Sequence, residues 1–320
     1  MIYFILTYVL SFCFYFLLKF FNTKHSIRQT EREEGLDSHK LKSGTPTLGG
    51  IIFVLIPTCL LLTKYQSFDA IIISIAYISF SIVGFIDDVK IIKSNKNDGL
   101  TPKKRLILEY VISFIILILC LIKGYSKKIL IMELTINLGA FFLPFMSTFM
   151  VGTANSYNLT DGIDSLLASV SGIIAIGLLI FSFQKERYMI SFFLICFFIS
   201  ITSFYFLNYN KAVIFMGDTG SLAIGAVFCI ISILLDIPFY FMIMSIPLFF
   251  ETITDILQVT YFKMTKGKRL FLMAPFHHHL ELLGYNEKTI TAIFSLIEII
   301  LVIFCLFLAK IFKKKLINKQ

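Results

Sequence analysis

Residues 69–88 read DAIIISIAYISFSIVGFIDD, a largely apolar run that carries no charge from Ala70 to Ile86 and stops on two adjacent aspartates. A helix rises 1.5 Å per residue and needs about 20 apolar residues to cross a hydrocarbon core roughly 30 Å thick. The stretch therefore predicts a membrane-spanning helix over 69–87 that ends on Asp87 and Asp88. A carboxylate costs about 2.5–3.5 kcal/mol at the centre of such a helix on insertion scales, so acidic residues at these places mark functional sites.

The same alternation of apolar run and polar break recurs along the chain. Ten spans are predicted: 1–21, 47–63, 69–87, 106–123, 138–155, 166–183, 188–207, 221–236, 238–262 and 289–310. Composition agrees, with 57% hydrophobic residues, 36 Phe and only 15% charged residues, where a soluble domain carries about a quarter. Mean hydropathy is +0.85. The runs are too long for barrel strands, and backbone polar groups in lipid must be satisfied within the segment. The expected fold class is all-α, a polytopic integral membrane bundle forming one domain over 1–320. The first run lacks a basic leader region and a small-residue cleavage site, so it reads as a retained span. The six cysteines lie in apolar runs without paired spacing, which speaks against disulfides and thiolate metal sites.

Alternate loops fall on two faces. Loops 22–46, 88–105, 156–165, 208–220 and 263–288 together hold 17 Lys and Arg, which makes that face cytoplasmic and places both termini outside. Five aspartates share this face: Asp87, Asp88, Asp161, Asp164 and Asp218. Carboxylates gathered beside lysines, in a chain of net charge +9, point to Mg²⁺ and a phosphorylated substrate.

Four motifs carry the chemistry. Adjacent Asp87 and Asp88 cannot both point one way from a helix, so one is expected to hold a metal or lysine while the other handles a proton or attacks phosphorus. In NLTDGID, residues 158–164, Asn158, Asp161 and Asp164 recur every three residues, and Thr160 or Asp161 is placed to cap the following helix. FMGDTGS, residues 215–221, sets Asp218 between glycines at a helix start, where backbone amides favour phosphate. The loop GKRLFLMAPFHHHLELLGYNE, residues 267–287, carries His277, His278 and His279, which diverge too much for a chelate but suit hydrogen bonds to phosphate or sugar oxygens. HKLKSGTPTLGG, residues 39–50, adds Lys40 and Lys42 as anion contacts ahead of the second span.

In this order SGTPTLGG, the Asp87-Asp88 pair, NLTDGID, FMGDTGSLAIG and MAPFHHHLE resemble the phospho-N-acetylmuramoyl-pentapeptide transferase family, of the polyprenyl-phosphate N-acetylhexosamine-1-phosphate transferase superfamily. The resemblance implies transfer of phospho-MurNAc-pentapeptide from its UDP carrier to undecaprenyl phosphate, giving lipid I and UMP. It implies Mg²⁺, the bacterial inner (cytoplasmic) membrane and a homodimer, with membrane lipid and the two substrates as partners and no nucleic acid. By the same resemblance Asp87, Asp88 and Asp218 form the catalytic group. Asp218 would bind the metal, Asp87 would deprotonate the lipid phosphate or attack in a two-step route, and Asp88 would order the lipid phosphate or a lysine. Asn158 and Asp161 would support metal and diphosphate. Gly162, Ile163 and Asp164 would border the uridine pocket, Phe215 would stack on uracil and Lys42 would reach its edge. Thr47, Gln258, His277, His278 and His279 match further pocket positions. The chain departs from the pattern at Ile91, where the family has a lysine, and at Arg105, which aligns with another. The competing readings are a superfamily enzyme using UDP-GlcNAc and an ion-coupled transporter. Only Glu251 and Asp255, inside a predicted span, fit the transporter.

Overall fold

The computed structural model describes residues 1–24, 45–94, 99–209 and 212–317, so Lys40 and Lys42 lie outside the described residues. Among the described residues twelve α-helices follow in chain order: α1 (Ile2–Lys24), α2 (Gly50–Lys64), α3 (Phe68–Ser94), α4 (Pro102–Lys123), α5 (Phe142–Thr160), α6 (Leu166–Gln184), α7 (Tyr188–Asn208), α8 (Gly217–Leu234), α9 (Pro238–Met244), α10 (Ile246–Met264), α11 (Phe276–Leu282) and α12 (Glu287–Ile317). Among the described residues seven helices are long and apolar enough to cross a bilayer: α1, α3, α4, α6, α7, α8 and α12. The pair α9–α10 makes an eighth if counted as one span, and its axis turns by 67° at Ser245, ahead of Pro247. Helix α2 is shorter, and α5 carries Thr, Ser and Asn along its length.

One element departs from the all-α expectation. Strands β1 (Lys128–Ile131) and β2 (Leu134–Asn137) pair antiparallel, Lys128 opposite Asn137 and Ile131 opposite Leu134. The stretch KILIMELTIN is rich in residues that favour strands, and Met132 takes a positive φ at its turn. A four-residue strand is too short to stand out in a hydropathy profile dominated by spans of about 20 residues.

Helix α8 is the post of the bundle. It is buried without interruption from Thr219 to Leu234, and α3, α5, α2 and α6 pack around it. A helix that is apolar on all sides belongs in a core, whereas α1 and α12 expose long apolar faces suited to lipid. Lipid is as apolar as leucine, so helices in a membrane associate through close packing rather than hydrophobic burial. Two contacts show this. Gly84 of α3 lies so close to the backbone at Asp218 and Thr219 that any Cβ would collide with it. Gly50 meets the backbone of Gly220 in the same way. The segment before α2 then runs beside the segment before α8: Phe215 donates its N–H to Pro46 at 2.8 Å, and Gly49 and Gly50 donate to Phe215 and Met216.

Candidate active site

The ends of α3 and α5 and the starts of α2, α4, α6 and α8 meet at one end of the bundle, and a cavity of about 240 Å³ opens there. Of the residues singled out in the sequence, Thr47, Asp88, Asn158, Asp161, Gly162, Ile163, Asp164, Phe215, Asp218 and His278 line it. Asp87, Gln258, His277 and His279 do not.

The paired aspartates do different work, for a reason the helix geometry supplies. Asp88 turns toward α8 and accepts hydrogen bonds from the backbone N–H of Asp218 (3.0 Å) and of Thr219 (3.0 Å), and from the Thr219 hydroxyl (2.5 Å). A carboxylate at a helix N-terminus satisfies orphan amides and the helix dipole together. The phosphate-binding amides expected at GDTGS are therefore already taken by Asp88. Asp87 turns the other way, accepts from the backbone N–H of Leu100, and lies 3.6 Å from Arg105.

Asp218, 23% exposed, sits at the centre of a polar network. Its Oδ1 accepts from the Asn158 amide at 2.7 Å and its Oδ2 from Arg105 Nη1 at 2.6 Å. Arg105 also donates from Nη2 to Asn158 at 2.6 Å and Asn155 at 3.3 Å, and from Nε to Glu109 at 3.1 Å. Glu109 is fully buried and takes a second bond from Asn155 at 2.5 Å. Glu109 and Asn155 were not singled out from the sequence. Their signal was there: a Glu four residues after Arg105 within an apolar run, and an Asn three residues before Asn158.

The NLTDGID segment ends α5 and turns into α6. Neither Thr160 nor Asp161 caps α6 with its side chain: Asp161 closes α5, and Ser165, at φ 66°, precedes α6. Asp164 accepts from the Ala212 N–H at 3.0 Å and donates its own N–H to Glu287 of α12 at 2.9 Å. Desolvation in the cavity wall, then the neighbouring carboxylates of Asp218, Asp88 and Asp164, push the Asp161 carboxyl well above the usual carboxylate range.

The three histidines diverge as consecutive helical residues must. His278 faces the cavity, with Nδ1 2.7 Å from Glu281. His279 Nδ1 accepts from the Leu272 N–H at 3.2 Å, and its ring packs on Phe271 and Phe276. His277 is wholly buried, with Nδ1 3.1 Å from Glu251 and Nε2 directed at Gly162 of the cavity wall. Its place is thus behind the pocket rather than in it, and Glu251 is its partner instead of a transport carboxylate. Gln258 accepts from Leu270 and Phe271 and donates to the Phe271 carbonyl, tying down the loop that leads to α11.

Four carboxylates line the cavity with no Lys or Arg among the described lining residues. That hard-oxygen set suits a Mg²⁺ ion, which takes one or two protein carboxylates and completes its shell with water and substrate phosphate. No group of three described His, Cys, Asp or Glu residues converges to chelate a metal alone.

The family description "Glycosyl transferase family 4" matches residues 70–236. A phospho-N-acetylmuramoyl-pentapeptide-transferase of Prochlorococcus marinus (strain MIT 9301) is 40% identical over 317 residues, covering 90% of this chain and 87% of the relative. One of Clostridium perfringens (strain 13 / Type A) is 38% identical over 280 residues, covering 87% of each. One of Clostridium novyi (strain NT) is 37% identical over 285 residues, again covering 87% of each. With the helical bundle and its acidic cavity, these similarities place the chain in the phospho-N-acetylmuramoyl-pentapeptide transferase family of glycosyl-phosphate transferases.

Proposed function

We propose that this enzyme transfers phospho-MurNAc-pentapeptide from its UDP carrier to undecaprenyl phosphate, releasing UMP and forming lipid I, with Mg²⁺ as cofactor. The observation that carries the reading is one cavity, at the end of a lipid-facing bundle, lined by Asp88, Asp161, Asp164 and Asp218 beside Phe215 and His278. Both substrates are anionic, so the reaction is chiefly positioning and charge neutralisation. Asp218, supported by Asn158 and Asp161, would hold the ion, which when bound neutralises phosphate charge. Phe215 offers a ring to the uracil base and Thr47 lies beside it across the Pro46–Phe215 pairing. His278, oriented by Glu281, donates toward the diphosphate or sugar.

Asp88 is committed to the start of α8, so Asp87 is the member of the pair left to act on the acceptor. It takes the proton of the lipid phosphate, or attacks in a two-step route. The cavity belongs on the cytoplasmic face of a ten-span chain, where the nucleotide arrives from solution and the lipid from the bilayer; the basic loops support that orientation.

The test is turnover of the purified protein with undecaprenyl phosphate and either UDP-MurNAc-pentapeptide or UDP-GlcNAc, with and without Mg²⁺. UMP release with the first donor alone, and only with Mg²⁺, is expected. Turnover of UDP-GlcNAc alone would overturn the substrate assignment.

A further inference from the structure

The turn that carries Asp161, Gly162, Ile163 and Asp164 along the cavity wall lies between α5 and α6 and has no helix or strand of its own. What stands behind it sets its height. On one side α12 holds Asp164, whose N–H donates to Glu287 at 2.9 Å. On the other side the His277 ring fills the space that a side chain at residue 162 would need, because a Cβ on Gly162 would collide with Nε2. That nitrogen is buried and makes no hydrogen bond, so its contact with the turn is one of shape.

The ring is fixed from its opposite edge. Glu251 Oε2 accepts from His277 Nδ1 at 3.1 Å and from the His277 backbone N–H at 3.3 Å. Both side chains are wholly buried, where a paired polar group is held firmly and a lone one is costly. Glu251 is itself seated on α5, because its neighbour Thr252 donates to the Ser156 hydroxyl at 2.7 Å. A closed strut results. It leaves α5 at Ser156, passes through α10 and α11, and returns to Gly162 just past the end of α5.

We propose that Glu251 is a positioning residue for the nucleotide side of this site. Acting through His277, it props the Asp161–Asp164 turn at the height where it walls the cavity beside Phe215 and Asp218. The inference rests on the proposed function, because it takes that turn as the border of the uridine pocket. Glu251 does not line the cavity, so it acts only through the ring it orients. A hydrogen-bonded imidazole suits the task better than an apolar ring, since its two bonds to one carboxylate oxygen fix both its rotation and its depth.

The test is UMP binding by calorimetry, with the full-length protein in detergent and Mg²⁺ present. Glu251→Ala and His277→Ala should each weaken UMP binding about tenfold, the scale for residues that tune a site without touching its ligand. The double variant should also bind about tenfold more weakly, whereas independent losses would multiply to about a hundredfold. Glu251→Gln keeps an oxygen that accepts from Nδ1 and from the backbone N–H, so it should bind within about twofold of the unmodified protein. Losses that multiply in the double variant, or a Glu251→Gln as weak as Glu251→Ala, would overturn the positioning role.

A single variant that strands one buried partner is the one at risk of not folding; removing both partners is the milder change. If a single variant fails, Gly162→Ala decides the matter. Its methyl group should weaken UMP binding about tenfold where the ring is present and change it less than threefold in the Glu251→Ala/His277→Ala background. An equal loss in both backgrounds would overturn the strut. An unmodified protein that does not bind UMP would overturn the proposed function instead.

Discussion

Asp88 and Asp218 lie within hydrogen-bond reach of the same turn, but their jobs separate cleanly. Asp88 holds two backbone amides and a hydroxyl at the start of α8. Asp88→Ala should therefore lower stability by about 1.5–3 kcal/mol, the usual worth of hydrogen bonds to a charged group, seen as a lower melting temperature in detergent. Asp218→Ala removes no backbone contact of α8, and Arg105 keeps Glu109 and Asp87 as counter-charges, so the variant should stay folded and melt above Asp88→Ala while losing all Mg²⁺-dependent turnover. Equal melting of Asp88→Ala, or surviving turnover of Asp218→Ala, would contradict the division. Phe215 makes a separate prediction. Base–aromatic stacking is worth roughly 1–3 kcal/mol, so Phe215→Ala should weaken UMP binding by that amount in calorimetry. An unchanged affinity would take Phe215 out of the nucleotide pocket.

At the scale of elements, the site depends on how closely α3 and α8 approach. Gly84 lets the backbone of α3 pass against the backbone at Asp218, which brings Asp87 and Asp88 level with the start of α8. Gly84→Ala should push the helices apart and cost about 1–3 kcal/mol, the range for overpacking a tight interface. Activity should fall further than stability, because Asp88 loses register with the amides it caps; thermal melting and turnover measured together check this. The sequence showed the acidic end of α3 from hydropathy alone. It did not show why GFIDD needs its glycine, since the colliding partner lies more than 130 positions further along the chain. Sequence separation likewise hid Glu251, 26 positions before His277, and Glu287, 123 positions after Asp164. The break at Ser245 was foreshadowed by Pro247 and by the polar residues that follow it.

For the whole molecule, the gathered carboxylates set a pH dependence. Asp161 has its pKa raised in the folded protein, first by desolvation and then by its acidic neighbours. A raised carboxyl contributes stability that is complete below the ordinary carboxylate range, about pH 4, and is lost as pH rises through the folded-state value. The cation-free protein should thus melt at falling temperature as pH rises above about 4, and Asp161→Asn should flatten that slope. A slope identical in the variant would remove Asp161 as its source. The sequence by itself determined that the chain is a helical membrane bundle whose apolar runs break at acidic residues, because hydropathy and charge act locally and are legible in a run of about 20 residues. It also carried the family, through motifs that stay contiguous. Only the tertiary structure decided which aspartate caps α8, which one faces Arg105, and which histidine reaches the cavity. Those roles depend on the direction of single side chains across helix interfaces, and that direction is set by packing between segments far apart in the chain.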